Sequence, residues 1–263
     1  MKASTKIFGC LADPIEHVKA PTLFTKIFEE QKVNAIMIPI NVSSENLENF
    51  LSGLRSINNF VGMTVTIPHK TNILKYCDHL EKEAIDTQSV NWIKIDNKQL
   101  IGTNFDGVGF VHGLKNKNLI VEGKDFAIFG IGGAGASICH SLLRSNARRL
   151  KLINRDPTKL NLLAKKLKDL KSNTEILIDD FRDYDISDYD YVINATSLGL
   201  KDNKDLIFDV KKTKYDCTVI DIVMDPEETI LIKEAKKNKR NYHLGKNMLL
   251  SQVKLAGNFF NLW

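Results

Sequence analysis

Residues 126–136 read FAIFGIGGAGA. An apolar run, Phe126 to Phe129, breaks into Gly130, Gly132 and Gly135 at the spacing G-x-G-x-x-G, and Ile138, Leu142 and Leu143 follow at helical spacing. That order is strand, tight turn, helix. The first glycine permits the turn, the second lets backbone approach a pyrophosphate, and the third lets helix and strand pack closely, with the helix N-terminus facing the anion. Alone the motif is weak, because many glycine-rich loops are only turns. A second strand, Arg149 to Ile153, follows at the distance expected of a βαβ unit and supports the dinucleotide-binding reading.

The second strand ends in Asn154-Arg155. In this fold an acid there favours NAD through the ribose 2′-hydroxyl, whereas arginine accommodates a 2′-phosphate. Arg155, with Lys159 as a second charge, therefore favours NADP, while Asp156 argues for NAD because a carboxylate repels a phosphate. Beyond it, a helix carrying Leu160, Leu163, Leu167 and Leu170 is expected, then strands near 175–178, 190–194 and 218–222, a helix over about 227–238, a strand at 242–244 and a helix over 246–262.

Upstream, strands are expected at 6–11, 34–40 and 60–67, and Pro21 sits well in the first turn of a helix reaching about Gln31. Ser43 and Ser44 can cap a helix whose Leu47, Leu51 and Leu54 share one face. A helix opening at His69-Lys70, another over about 80–85, and a hairpin of 90–95 with 99–102 around Asp96-Asn97 complete this part. A helix from Asn104-Phe105-Asp106-Gly107 to about Leu114 then leads into the glycine unit. Strands alternating with helices predict an α/β protein with mainly parallel sheets. A boundary falls near 105, giving a first domain over 1–105 and a Rossmann domain over 106–244.

The chain has 263 residues, 43% apolar and 26% charged, which suits a globular protein with two cores. Its net charge of +5 comes from basic runs on predicted helices, such as Lys165-Lys166 and Lys233 to Arg240, and these read as solvated faces rather than a nucleic-acid surface. Cys10, Cys77, Cys139 and Cys217 are far apart, with no zinc or redox spacing, and the six histidines show no metal-ligand pattern; His69, His112 and His140 look like helix residues. No run approaches a membrane span or a signal segment. A reduced, cytoplasmic protein without metal is the expectation.

Read end to end, the chain resembles the shikimate dehydrogenase family. The segments that carry the likeness are DPIEHVKAP (13–21), GMTVTIPHK (62–70), SVNW (89–92), GTNFDGVGF (102–110), FGIGGAGA (129–136), NRDPTK (154–159), NATSLG (194–199), DP-x-x-T (225–229) and GKNMLLSQ (245–252). The resemblance implies an N-terminal substrate domain, a Rossmann NADP domain with a cleft between them, and a last helix, 245–263, returning to the first domain. It implies reversible hydride transfer between shikimate and 3-dehydroshikimate, a small hydroxy-acid substrate, and a monomer or homodimer. Lys70 and Asp106 match the catalytic pair; Thr66, Asn91, Asn104 and Gln252 match positions that hold ring hydroxyls. On the cofactor side the matches are Gly130, Gly132, Gly133, Ala134, Asn154, Arg155, Lys159, Thr196 and Gly245, and Met224 occupies a cofactor position where the family carries tyrosine.

The departures fall on substrate recognition. Val18 and Ala20 stand where the family carries a serine pair for the substrate carboxylate, and Thr64, Trp92, Phe105, Met224 and Asn247 also differ. Thr64 or Lys19 are the groups expected to compensate. A paralogue for quinate or another hydroxylated cyclohexane carboxylate is the first alternative. A binding or regulatory protein without turnover is the second, and the retained Lys70 and Asp106 count against it.

Overall fold

In the computed structural model, which describes residues 2–200 and 205–263, the chain divides into two units. The first comprises Met1–Phe105 with Gln252–Trp263, and the second Asp106–Ser251. The division falls within the last helical segment, after Ser251.

The first unit holds β1 (Lys6–Ala12), α1 (Ala20–Glu30), β2 (Ala35–Asn41), α2 (Leu47–Leu54), β3 (Phe60–Val65), β4 (His79–Leu80), α3 (Lys82–Thr87), β5 (Trp92–Asp96) and β6 (Gln99–Thr103). Its sheet runs β2-β1-β3-β5-β6-β4 and is mixed. The strands β2, β1 and β3 are parallel because α1 and α2 cross over between them, whereas β5 and β6 form the expected antiparallel hairpin, of which β5 pairs antiparallel with β3. Asn97 and Lys98 both take positive φ at its tip, as a two-residue turn between right-twisted strands requires. Leu47, Leu51 and Leu54 bury against Leu11, Phe60, Met63 and Ile93. Each such side chain contributes about 1.5–3 kcal/mol.

Two expectations fail here. No α-helix opens at His69-Lys70: residues 67–71 form turns and a 3-10 helix covers Asn72–Tyr76. The carbonyl of Lys70 accepts from Val90 N at 2.7 Å instead of from the next helical turn, so a tertiary partner takes a group a helix needs, and the His69 ring bonds the Val42 carbonyl at 2.8 Å. His69 is accordingly a fully buried turn residue, while His112 and His140 do lie on helices. The expected helix over 80–85 begins two residues later, behind the short strand β4.

The second unit holds α4 (Asp106–Lys115), β7 (Asp125–Phe129), α5 (Gly133–Arg144), β8 (Arg149–Asn154), α6 (Pro157–Asp169), β9 (Glu175–Asp180), β10 (Tyr191–Asn194), β11 (Thr218–Asp221), α7 (Ile230–Lys237), β12 (Asn241–Leu244) and α8 (Lys246–Phe259). All six strands are parallel in the order β12-β11-β10-β7-β8-β9. This is the Rossmann arrangement. Its order reverses between β7 and β10, and ligands of such sheets bind beyond the strand C-termini at that reversal. Side chains of β7 alternate between two cores, Phe126 and Ile128 facing one, Ala127 and Phe129 the other, as a strand covered on both faces must.

Candidate active site

Lys70 follows directly on the turn that His69 anchors. Burial pushes the His69 imidazole below its ordinary value, so the ring is neutral and its Nε2–H donates to the Val42 carbonyl. The Lys70 side chain is half-buried, and its charge acts on Cys10 of β1, whose thiol burial nevertheless pushes up to about 12. Cys10 is therefore an inert thiol beside the lysine.

The amide residues of the first unit are buried and joined. Asn91 donates from Nδ2 to Gln252 Oε1 at 3.1 Å and accepts the Phe105 N–H on Oδ1 at 2.8 Å. Trp92 Nε1 donates to the same Gln252 oxygen at 3.0 Å. Asn104 donates to the carbonyl and hydroxyl oxygens of Ser89 at 3.1 and 2.7 Å. Thr66 is half-buried, and its backbone closes the turn toward His69. Thr64 Oγ1 donates to the Asn91 carbonyl at 3.0 Å, so its proton is already committed. Asn91 and Gln252 are thus brought together, while Asn104 is held separately through Ser89.

In the second unit, Asp106 opens α4 and is only 3% exposed. The glycine turn follows β7. Gly130 has φ +91°, a conformation that excludes a side chain, and a Cβ there would also strike Thr196 Cγ2 at 2.6 Å, which places the turn against the 194–199 loop. A Cβ on Gly135 would meet the Gly130 carbonyl, so helix and turn close up as the spacing requires. Gly132, the N-cap of α5, is exposed with nothing within 4 Å of its missing Cβ; Gly133 and Ala134 are half-buried beside it, and no side chain caps the helix. That is a backbone N–H cradle suited to an anion.

At the end of β8, Arg155 is exposed and makes no hydrogen bond or ion pair among the described residues. Asp156 is the N-cap of α6, accepting the Lys159 N–H at 3.1 Å with Lys159 Nζ at 3.6 Å, and those donors hold its carboxyl below the usual range. Asn154 donates to the Asp156 carbonyl at 3.3 Å. Met224 is half-buried, and Gly245 packs on the Ile222 and Val223 carbonyls just before it.

Among the described residues, no group of three His, Cys, Asp or Glu side chains is placed to hold a metal, and no helix is long and apolar enough to cross a membrane.

Residues 10–93 match the model of the shikimate dehydrogenase substrate binding domain. The shikimate dehydrogenase (NADP(+)) of Methanococcus maripaludis strain C7 is 34% identical over 266 residues, covering 100% of this chain and 92% of that protein. The chain belongs to the shikimate dehydrogenase family. Among solved structures, a shikimate dehydrogenase in complex with NADP+ matches with a TM-score of 0.90 at 31% identity, over 99% of this chain and 91% of that one. Shikimate 5-dehydrogenase from Listeria monocytogenes, in complex with shikimate and NAD, matches at 0.86 and 26% identity, over 100% and 93%.

One buried group in this family member escaped sequence reasoning. Asp221, at the end of β11 and 1% exposed, accepts from Asn194 Nδ2 at 3.0 Å, Thr229 Oγ1 at 2.6 Å and Val223 N at 3.0 Å. Asn194 in turn accepts the Thr196 N–H and hydroxyl. The loops after β10 and β11 are therefore tied through one carboxylate, which burial raises to about 6. An acid ending an apolar strand, followed by DP-x-x-T, was the available signal.

Proposed function

We propose that the chain is an NADP-dependent oxidoreductase acting on a CH–OH group, interconverting shikimate and 3-dehydroshikimate. The observation that carries this is the end-to-end match to a shikimate dehydrogenase (NADP(+)), which spans both Lys70 and Asp106. Bound NADP supplies a hydride acceptor, and its reduced form a hydride donor. The residues that would hold it are Gly130, Gly132, Gly133 and Ala134 at the pyrophosphate, Asn154, Arg155 and Lys159 at the 2′-phosphate, and Thr196, Met224 and Gly245 beyond. The open Gly132 cradle, the uncapped α5 and the unengaged Arg155 fit that group, and Asp156 offers it little repulsion.

Oxidation of a hydroxyl needs a proton to leave as the hydride leaves. Lys70 is assigned to that proton: its ammonium stabilises the developing oxyanion, and its neutral form accepts the proton. By the same likeness Asp106 is assigned as the carboxylate partner in that proton transfer. Thr66, Asn91, Asn104 and Gln252 hold the ring hydroxyls, and amides already fixed by their neighbours lose little freedom on binding.

The alternative ring acid, quinate or a related cyclohexane carboxylate, draws support from Val18, Ala20 and the committed Thr64 hydroxyl, which leave Lys19 to meet a carboxylate. Initial rates by NADPH absorbance on shikimate, quinate and related acids, with NADP and NAD, test both readings. The highest kcat/KM for shikimate with NADP is expected; a preference for quinate transfers the assignment, and no signal on any acid favours a binding protein.

A further inference from the structure

Trp92, on β5, is 1% exposed, with its ring edge-on to Phe24 at 5.1 Å and to Phe260 at 5.7 Å between centroids. A buried indole needs one acceptor for its N–H. Here it has chosen the side chain oxygen of Gln252, the residue at which the C-terminal segment joins the first unit. Asn91 Nδ2 donates to the same oxygen. An amide oxygen has two acceptor positions, so both are filled.

The consequence is an orientation. Rotating the Gln252 amide by half a turn would set its NH2 group against two buried N–H donors and leave all of them without acceptors, so the observed orientation is the stable one. Gln252 therefore meets any ligand as a donor and never as an acceptor. Asn91 is fixed in the same way from its other end, by the Phe105 N–H. Indole and amide form one assembly in which the aromatic cluster holds the tryptophan and the tryptophan holds the amide.

We infer that Trp92 is a positioning residue for substrate specificity: through its N–H it locks Gln252 as a hydrogen-bond donor, so that the site selects a ring acid presenting an oxygen acceptor there. The inference rests on the reading of Gln252 as a ring-hydroxyl contact. It goes beyond that reading by naming the group that sets the direction of the hydrogen bond.

Trp92→Phe keeps an aromatic ring in the cluster and removes only the donor. The expected result is a rise of about tenfold in KM for shikimate, with kcat and KM for NADP each within about twofold of wild type. A KM for shikimate equal to wild type overturns the inference, as does a parallel loss in all three parameters, which marks a merely structural role. Should that variant fail to fold, a protein with Trp92 intact gives the answer. The chain has two tryptophans, so Trp263→Phe leaves a single indole N–H resonance in a nitrogen-15 spectrum. Shikimate alone is expected to move that resonance, and Gln252→Leu to abolish the movement; an indole signal indifferent to shikimate in a protein that turns shikimate over overturns the inference. A wild-type protein that neither binds nor turns over shikimate instead defeats the functional reading, and this inference with it.

Discussion

The two units present their chemistry in opposite ways. In the second, the groups suited to the dinucleotide are backbone N–H groups at an open glycine turn and an exposed, unengaged Arg155. In the first, the groups suited to the ring acid are buried amides already hydrogen-bonded to their neighbours. A phosphate is recognised by charge and by an open cradle, so its site tolerates exposure. Ring hydroxyls are recognised by the direction of single hydrogen bonds, so their partners must be held. Changes in the first unit should therefore act on turnover and the ring acid, and changes in the second, Asp106 apart, on the cofactor.

The largest effect expected is from Lys70→Ala. Loss of the acid/base group should lower kcat by on the order of 10³-fold while KM for NADP stays within about twofold. An equal loss in cofactor affinity, measured by titration, breaks the division between the units.

Stability against pH gives the next effect, and it separates two buried groups of the second unit. Asp221 is raised by burial from 3.8 to about 6, and its stabilising share is present below pH 3.8 and lost as pH rises through 6. His243, on β12, is lowered from 6.5 to about 4 by burial and then by Lys117; its share is present above pH 6.5 and lost as pH falls through 4. Each amounts to about 3 kcal/mol, with opposite slope. In chemical denaturation from pH 4 to 7, Asp221→Asn should gain on wild type as pH rises, and His243→Gln should gain as pH falls. Curves parallel to wild type would show that neither group titrates as its burial implies.

How much of this the sequence disclosed follows the same division. Glycine spacing encodes backbone conformation, so the turn, the parallel sheet and the positions of Arg155 and Asn154 were legible from local pattern. The helix expected at His69-Lys70 was not there, because Val90 N, far away in sequence, claims the Lys70 carbonyl that the next helical turn would use. Likewise nothing local shows that the Trp92 N–H is spent on Gln252, or that Asp156 has turned onto Lys159.

Arg155→Gln sharpens the cofactor half: KM for NADP should rise at least about tenfold and KM for NAD stay unchanged, since a charged hydrogen bond to the 2′-phosphate is lost. Smallest is Asp156→Ala, which removes an N-cap. A fall in Tm of about 2–4 °C is expected, with the NADP-to-NAD preference unaltered. A marked gain in NADP affinity would show that the carboxylate faces the phosphate after all.

The most direct test of the central claim uses shikimate carrying deuterium at C3. Incubated with the protein and NADP, it should yield 3-dehydroshikimate and NADPH bearing the deuterium, seen by mass spectrometry. Unlabelled NADPH, or none at all, contradicts the account.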